Sequence, residues 1–314
     1  MLAPRPDGAK GCAMSRMNLQ GSDRSSGGED LSALDPPRAG SFIVTVYGDV
    51  VEPRGGVLWM GTLIDICGAV GLSETLVRTA VSRLVAAGRL AGERKGRRSY
   101  YRLTTAARSE FAEASRVLFR PGGGERDLVL LLPRDAEAAA ELEGAGFLAL
   151  GRGLMLGPDR DVGDRAAMRL PVDARHGGAT LRAFAADAWD LARYSAAYES
   201  FTTRFNPLLD TLPALSPRDQ LVARLQMVHA YRAVVLRDPH LPPACLPPDW
   251  AGSAAARLFA RLYLRLSQQC DPFIAATFSS DDGALPAETE ASRARLHMLQ
   301  RYLSESAADH SLSQ

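Results

Sequence analysis

Lysine is almost missing from this 314-residue chain. Of its 37 cationic side chains only Lys10 and Lys95 are lysines, so arginine supplies the other 35. A GC-rich gene explains such a bias, but the consequence is physical: nearly every cation is a planar, permanently charged, bidentate donor. Cysteine is sparse as well. Cys12, Cys67, Cys245 and Cys270 are scattered with no C-x-x-C pair, which argues against a disulfide framework or a zinc site and for a reducing, cytoplasmic setting. No stretch approaches the roughly 18 apolar residues of a membrane span. The opening MLAPRPDGAKGCAMSR lacks the apolar core of a secretory signal. An excess of either charge is also lacking. With 37 cations against 36 anions the net charge is +1, which excludes a globally basic nucleic-acid coat and an acidic solvating chain. Any basic surface must be local.

Motifs of catalysis are missing too. There is no H-E-x-x-H, G-x-S-x-G or G-x-x-x-x-G-K-[ST]. The five histidines (His176, His229, His240, His297, His310) show no metal-ligand spacing. GGG (122–124) follows no strand and has no lysine, so it reads as a linker. GRGLMLG (151–157) is a weak dinucleotide candidate because no helix follows it.

What remains is an ordinary globular composition, 46% hydrophobic and 23% charged, long enough for about two domains, with one or three within range. Residues 1–40, rich in Gly, Ser and Pro, read as a disordered leader. In 41–120, SFIVTVYGD (41–49) is a strand by propensity. VLWMGTLIDICGAVGL (57–72) reads as a helix. SETLVRTAVSRLVAAG (73–88) is the clearest helix: Ser73 is a good N-cap. Val77, Ala80, Val81, Leu84 and Val85 form one buried stripe, and Gly88 stops it. RLAGERKGRRSYYRLT (89–104) reads as a hairpin turning at Lys95-Gly96-Arg97, followed by a helix over 105–119 and a linker over 121–127. In 121–186, LVLLLP (128–133) is a buried strand, 134–146 a helix, FLAL (147–150) and LMLG (154–157) a strand pair, 160–179 unpatterned, and TLRAFAA (180–186) a strand. Residues 187–305 are helical: 187–205, then 216–238 with Ser216 as N-cap and Pro217 at N1, then 252–269 and 288–305. A proline-rich, non-helical connection spans 239–250.

Function concentrates in 73–102. With the apolar stripe inside, the helix 73–88 presents Ser73, Glu74, Thr75, Arg78, Thr79, Ser82 and Arg83. Short hydroxyls beside long arginines are what a major-groove reader needs: hydroxyls for phosphates or thymine methyls, guanidinium for guanine O6 and N7. A preceding helix and a tight turn at Gly71 complete a helix-turn-helix. The hairpin adds a wing on which Arg94, Lys95, Arg97 and Arg98 meet phosphates, with Tyr100 or Tyr101 reaching the backbone. The window holds eight cations and two anions, +6, which leaves −5 for the rest of the chain. A basic amphipathic helix alone is usually a solvated face; turn, helix and cationic hairpin in this order point to DNA.

The runs SFIVTVYGDVVEPRGGVLWMGTLI, LVRTAVSRLVAAGRL and ERKGRRSYYRLT, with HAYRAVVLRDPHLPPACLPPDWAG (229–252) and ARLFARLYLRL (256–266), resemble the PaaX family of repressors of phenylacetic-acid degradation. The resemblance covers about 41–120 and 187–270 well, and the middle only loosely. It implies an α+β protein: an N-terminal winged helix-turn-helix, a small ferredoxin-like, Cas2-like middle domain and a helical C-terminal domain for effector binding and dimerisation. It also makes SFIVTVY (41–47) a helix, and that reading is adopted over propensity. By the same resemblance the chain is a homodimeric repressor of aromatic catabolism genes. It binds a partly palindromic double-stranded DNA operator, has no membrane partner or cofactor, and is released by an aryl-acyl-CoA such as phenylacetyl-CoA. A pocket for that effector needs cations for phosphates and an apolar slot for the ring, for which Arg204, Tyr231, Arg232, Arg237, His240 and Trp250 are candidates. His229 reads instead as a satisfied helix residue. The alternative is a metal-dependent nuclease using the middle domain, with Asp127 or Asp135 as its acid; neither has a paired second acid in the sequence. A third class is a scaffold whose winged unit binds protein.

Overall fold

The structure is a computed structural model that describes residues 37–121 and 127–312, with side chains as far as 308. Most of the leader (1–40), Cys12 and the body of the 121–127 linker lie outside the described residues.

The first unit begins with helix α1 (Ala39–Val46), continued by a π-helical turn over Tyr47–Val51 and a 3-10 turn over Glu52–Arg54. The β-branched run is therefore helical. Phe42, Ile43, Val46, Tyr47, Val50 and Val51 are all buried, at the i, i+1, i+4, i+5, i+8, i+9 spacing of a helix face. Burial of that face overrides strand propensity. Gly55 and Gly56, both at positive φ, turn the chain into β1 (Val57–Trp59), and helix α2 starts only at Met60 and ends at Gly68. The expected helix over 57–72 thus opens as a strand, because those three residues pair with β3. After Gly71, at φ +82, comes α3 (Glu74–Ala86), capped by Ser73 Oγ accepting from the Leu76 amide. The hairpin of β2 (Leu90–Lys95) and β3 (Arg98–Leu103) turns at Gly96-Arg97 and completes a sheet of order β1-β3-β2. Helix α4 (Thr105–Phe119) is capped by Thr104.

The middle unit has β4 (Leu128–Pro133), α5 (Ala136–Gly144), β5 (Leu148–Gly151), β6 (Leu154–Pro158), β7 (Ala166–Val172) and α6 (Gly178–Ala188). Its sheet runs β5-β6-β4-β7 with every neighbour antiparallel. One face buries Val129, Leu131 and Met155 with Leu142 of α5. The other buries Leu128 and Leu156 with Ala185 of α6. Two expectations fail here. TLRAFAA is helical, because Leu181 and Ala185 form a one-turn-spaced face against the sheet. Strand β7 sits in the stretch read as unpatterned: it is an edge strand whose Met168 and Leu170 are 40% and 45% exposed, so no apolar-in, polar-out alternation marks it. GRGLMLG is the β5–β6 hairpin, with Arg152 and Gly153 both at positive φ.

The remaining elements are α7 (Leu191–Phe205), α8 (Leu208–Thr211), α9 (Pro217–Val235), α10 (Ala251–Thr277), a small hairpin of β8 (Ser279–Ser280) and β9 (Gly283–Ala284), and α11 (Glu290–Leu312). The single helix expected over 187–205 is broken at Asp190, at φ +48, and the expected 186/187 boundary cuts through α6. Ser216 caps α9 as expected. Among the described residues no helix is long and apolar enough to cross a membrane. Cys67, Cys245 and Cys270 are separately buried free thiols.

The first and last units share one interior. Phe119 of α4 packs on Phe259 and Tyr263 of α10. Arg224 of α9, 1% exposed, donates to Asp49 and to Asp271, each at 2.9 Å. Asp271 also accepts from Arg54 at 2.9 Å, and Asp49 from the Tyr263 hydroxyl at 2.7 Å. Burial opposes the Arg224 charge, but the two carboxylates hold its pKa well above the ordinary value. His229 of α9 shares a 2.9 Å hydrogen bond with Thr45 of α1. Its pKa is pushed down to about 4 by burial and by Arg232 and Arg204, so it is neutral in the fold.

Two outcomes follow from these contacts. Arg224→Met should lower unfolding free energy by about 3–5 kcal/mol, because Asp49 and Asp271 stay buried without it; the midpoint of a urea melt, with its slope, measures this. For His229, the unfolded chain binds a proton near pH 6.5 while the folded chain does so only near 4. The unfolded state therefore holds more protons in that window, and stability falls as pH drops from about 6.5 to 4, by up to about 3 kcal/mol. His229→Gln should flatten that part of a melting-temperature-against-pH curve.

Candidate nucleic-acid interface

Helix α3 buries Val77, Ala80 and Val81 against α1 and α2. Leu84 is half-buried and Val85 is 38% exposed, so the apolar stripe is narrower than the sequence reading had it. Ser73, Glu74, Thr75, Arg78, Thr79, Ser82 and Arg83 are all exposed. Arg78 is held along the helix by Glu74 at 2.7 Å, an exposed i, i+4 pair worth a few tenths of a kcal/mol.

Between α3 and the β2–β3 hairpin lies an open groove of about 390 Å³. Arg78, Ser82 and Val85 line it from the helix; Gly92, Glu93, Arg94, Ser99 and Tyr101 line it from the hairpin, and Met60 lies at its base. Within the hairpin the Tyr101 ring lies over its cross-strand partner Gly92, where a Cβ would meet that ring at 2.9 Å. The position of β3 is fixed by Tyr47, whose hydroxyl donates to the Tyr101 carbonyl at 3.0 Å.

Register divides the cationic hairpin. Directly paired residues project to one side of a sheet, and the pairs are Lys95 with Arg98, Glu93 with Tyr100, and Arg94 with Ser99. Arg94, Ser99 and Tyr101 therefore share the face toward α3, and Glu93, Lys95, Arg98, Tyr100 and Arg102 share the opposite face, where Arg102 is paired with Glu93 at 2.6 Å. Arg97 is exposed at the turn. Of the four expected phosphate contacts, only Arg94 lies beside α3. Lys95 is paired with Asp281 at 2.8 Å, and Arg98 stacks over Trp59 at 4.6 Å. Tyr100 is the buried tyrosine of the pair. Tyr101 lines the groove, and strand alternation from Leu90 and Leu103 could have shown it.

The residues expected at an effector pocket are divided between core and surface. Tyr231 is 2% exposed and stacks on Phe259 with ring centroids 4.2 Å apart; it is core. Trp250 is half-buried beside Tyr198, 5.8 Å away. Arg232 donates to the Ser41 carbonyl and hydroxyl at 3.2 Å, while its buried Nε has no hydrogen-bond partner. Arg204 lies over Phe205, and Arg237 is exposed and donates to the Ala233 carbonyl. His240, at φ +56, donates its amide to Asp238, whose other oxygen accepts from Tyr198.

Neither acid of the nuclease alternative belongs to a cluster of three or more His, Cys, Asp or Glu side chains that could hold a metal ion, among the described residues. Asp127 precedes β4 and Asp135 follows it. The Asp135 carboxylate caps α5 through the Ala138 amide.

Residues 38–107 match the family described as PaaX-like protein, and 189–276 match the PaaX-like protein C-terminal domain. Over 283 residues the chain is 32% identical to the transcriptional repressor PaaX of Escherichia coli (strain K12), spanning 80% of this chain and 88% of that one. The chain belongs to the PaaX family. The first of the two matched segments holds α1 to α3 and the hairpin, and the second holds α7, α9 and most of α10. The middle sheet falls between the PaaX-matched segments. A solved structure described as uncharacterized protein Rv0674 from Mycobacterium tuberculosis is 23% identical over 68% of this chain and 89% of that one, at a TM-score of 0.40. That superposition is too loose to argue from.

Proposed function

We propose that this chain is a DNA-binding transcriptional repressor rather than an enzyme, with α2 and α3 as a helix-turn-helix and β2–β3 as its wing. The observation that carries this is the groove, where a hydroxyl- and arginine-bearing helix face adjoins a cationic strand face. Thr75, Thr79, Ser82 and Arg78 would read base edges in the major groove, and Arg94 and Arg97 would meet phosphates on either side. The kinship with a protein described as a transcriptional repressor supports the same reading. A cytoplasmic setting follows from it.

The middle unit reads as ferredoxin-like: in order of appearance its strands lie 2-3-1-4, all antiparallel, with a 3-10 turn at Gly163–Arg165 in place of the second crossover helix. The helical C-terminal unit is proposed to dimerise the chain, so that two reading helices meet a partly palindromic operator, and to bind an aryl-acyl-CoA such as phenylacetyl-CoA. What supports an anionic effector is the cationic ground around Arg204, Arg232 and Arg237. Two arginines there depress His229, and one buried guanidinium nitrogen is unpaired. Trp250 and Tyr198 are the aromatic neighbours of that region. Tyr231 would join them only by leaving its stack on Phe259. Release requires the ligand to favour the form that binds DNA poorly; equal affinity for both forms would shift nothing.

A gel shift on the DNA upstream of the protein's own gene tests the reading. The protein should retard that duplex, phenylacetyl-CoA should release it, and free phenylacetate should not. Arg78→Ala should cost about 1–3 kcal/mol of operator binding and relax specificity at one position. Arg97→Ala should weaken all duplexes alike and reduce the salt slope by about 0.9. Unchanged operator affinity in Arg78→Ala would move the reading face elsewhere.

A further inference from the structure

The outer face of the wing, turned away from α3, carries Lys95, Arg98 and Arg102. Its own carboxylate, Glu93, is paired with Arg102 at 2.6 Å, and a second carboxylate reaches it from the far end of the chain. Asp281, at the turn between β8 and β9, lies 2.8 Å from Lys95 Nζ and 3.2 Å from Arg102 Nη2. Its side chain is only 8% exposed, against 45% for Lys95.

The hairpin that presents Asp281 is a built feature. Phe278 and Leu285 at its base are buried and joined by a 2.9 Å backbone hydrogen bond. Strand β8 lies against β1. The segment beyond β9 is gripped by Arg54, which donates to the Pro286 and Ala287 carbonyls at 3.0 Å. The carboxylate is thus delivered to the wing by a rigid support. Lys95 in turn holds the Asp281 carboxyl below the usual carboxylate range.

A carboxylate oxygen at 2.8 Å from an ammonium occupies the place a DNA phosphate oxygen would take on that cation. A pair with an exposed lysine is weak and screened by salt, so it can exchange with a phosphate. It also removes one cation from those whose engagement releases counterions from DNA. We propose that Asp281 stands in for a backbone phosphate on the outer face of the wing and so lowers the affinity of this chain for DNA, with Lys95 as the cation it withholds. The proposal rests on the reading of the β2–β3 hairpin as a DNA-contacting wing.

The test uses the full chain and a 30-base-pair duplex of arbitrary sequence, with dissociation constants taken between about 50 and 200 mM salt. Asp281→Asn should bind more tightly than the unaltered protein and add about 0.9 to the magnitude of the log–log salt slope. Its advantage should thus grow by about 3.5-fold from 200 to 50 mM. Lys95→Gln placed in the Asp281→Asn background should return the slope to that of the unaltered protein. Thermal melts of each variant separate a charge effect from lost folding, and Asp281→Glu, which keeps the charge, should leave the slope as it is in the unaltered protein. An Asp281→Asn protein that melts normally but binds equally or more weakly would overturn the proposal and make Asp281 a support of wing shape. Retention of the gain in the double variant would overturn Lys95 as the withheld cation. No duplex binding by the unaltered protein would instead defeat the regulator reading on which the proposal stands.

Discussion

A guanidinium buried between two carboxylates decides how this chain is assembled. Arg224 reaches from α9 to Asp49 in the π-helical turn and to Asp271 in α10, and Asp271 is shared with Arg54. Two cations and two anions balance, with Tyr263 completing the Asp49 carboxylate. None of the four can be removed singly without stranding a charge away from water. The stabilising free energy comes from the apolar side chains around them, since a buried ion network repays its own desolvation at best. What it contributes is position. A helix that slid by one turn along its neighbour would still present an apolar face to it, but it could not keep Arg224 on both acids.

That constraint reaches α3, the proposed reading helix, through α1. Helix α3 packs on α1, and α1 packs on α9, where His229 and Arg232 bond to Thr45 and Ser41. Tyr47 then fixes β3. The exposed face of α3 and the inner face of the wing are therefore placed by a common support. A groove lined by both has its two walls tied to the same helix, α1, and its π-helical continuation. This is what a rigid reader of DNA requires: its side chains must arrive at base edges and phosphates together.

Local chemistry was the legible part of the sequence. Ser73, the 77, 80, 81 stripe and Gly88 define α3 without reference to the rest of the chain, and Lys95-Gly96-Arg97 marks the hairpin. Propensity misreads 41–49 because it weighs residue type over spacing; the apolar pairs at 42–43, 46–47 and 50–51 already have a helix period. Strand β7 was illegible for the opposite reason. An edge strand with exposed Met168 and Leu170 has no buried face to pattern it. In the β2–β3 hairpin, the cations were legible but their sides were not. Register assigns Arg94 to one face and Lys95 to the other, and the partner of Lys95 stands 186 positions away. Such pairings belong to topology, and no local window contains them.

Helix α10 and the hairpin that follows it meet the first unit through two charged contacts of different character. Asp271, inside the helix, belongs to the buried network, which is intact or broken and tolerates no intermediate displacement. Asp281, beyond its end, makes a pair that salt or a competing anion can loosen at little cost. A ligand held among α7, α9 and α10 could change DNA binding only through a difference in free energy between two arrangements of these contacts. Breaking the Arg224 network would cost more than typical coupling energies of about 1–3 kcal/mol supply. An exposed pair such as Lys95–Asp281 lies below that range and can be broken within it. Of these two charged contacts, the Lys95–Asp281 pair is therefore the one that the proposed effector could loosen, while the Arg224 network stays closed and keeps the two units in register.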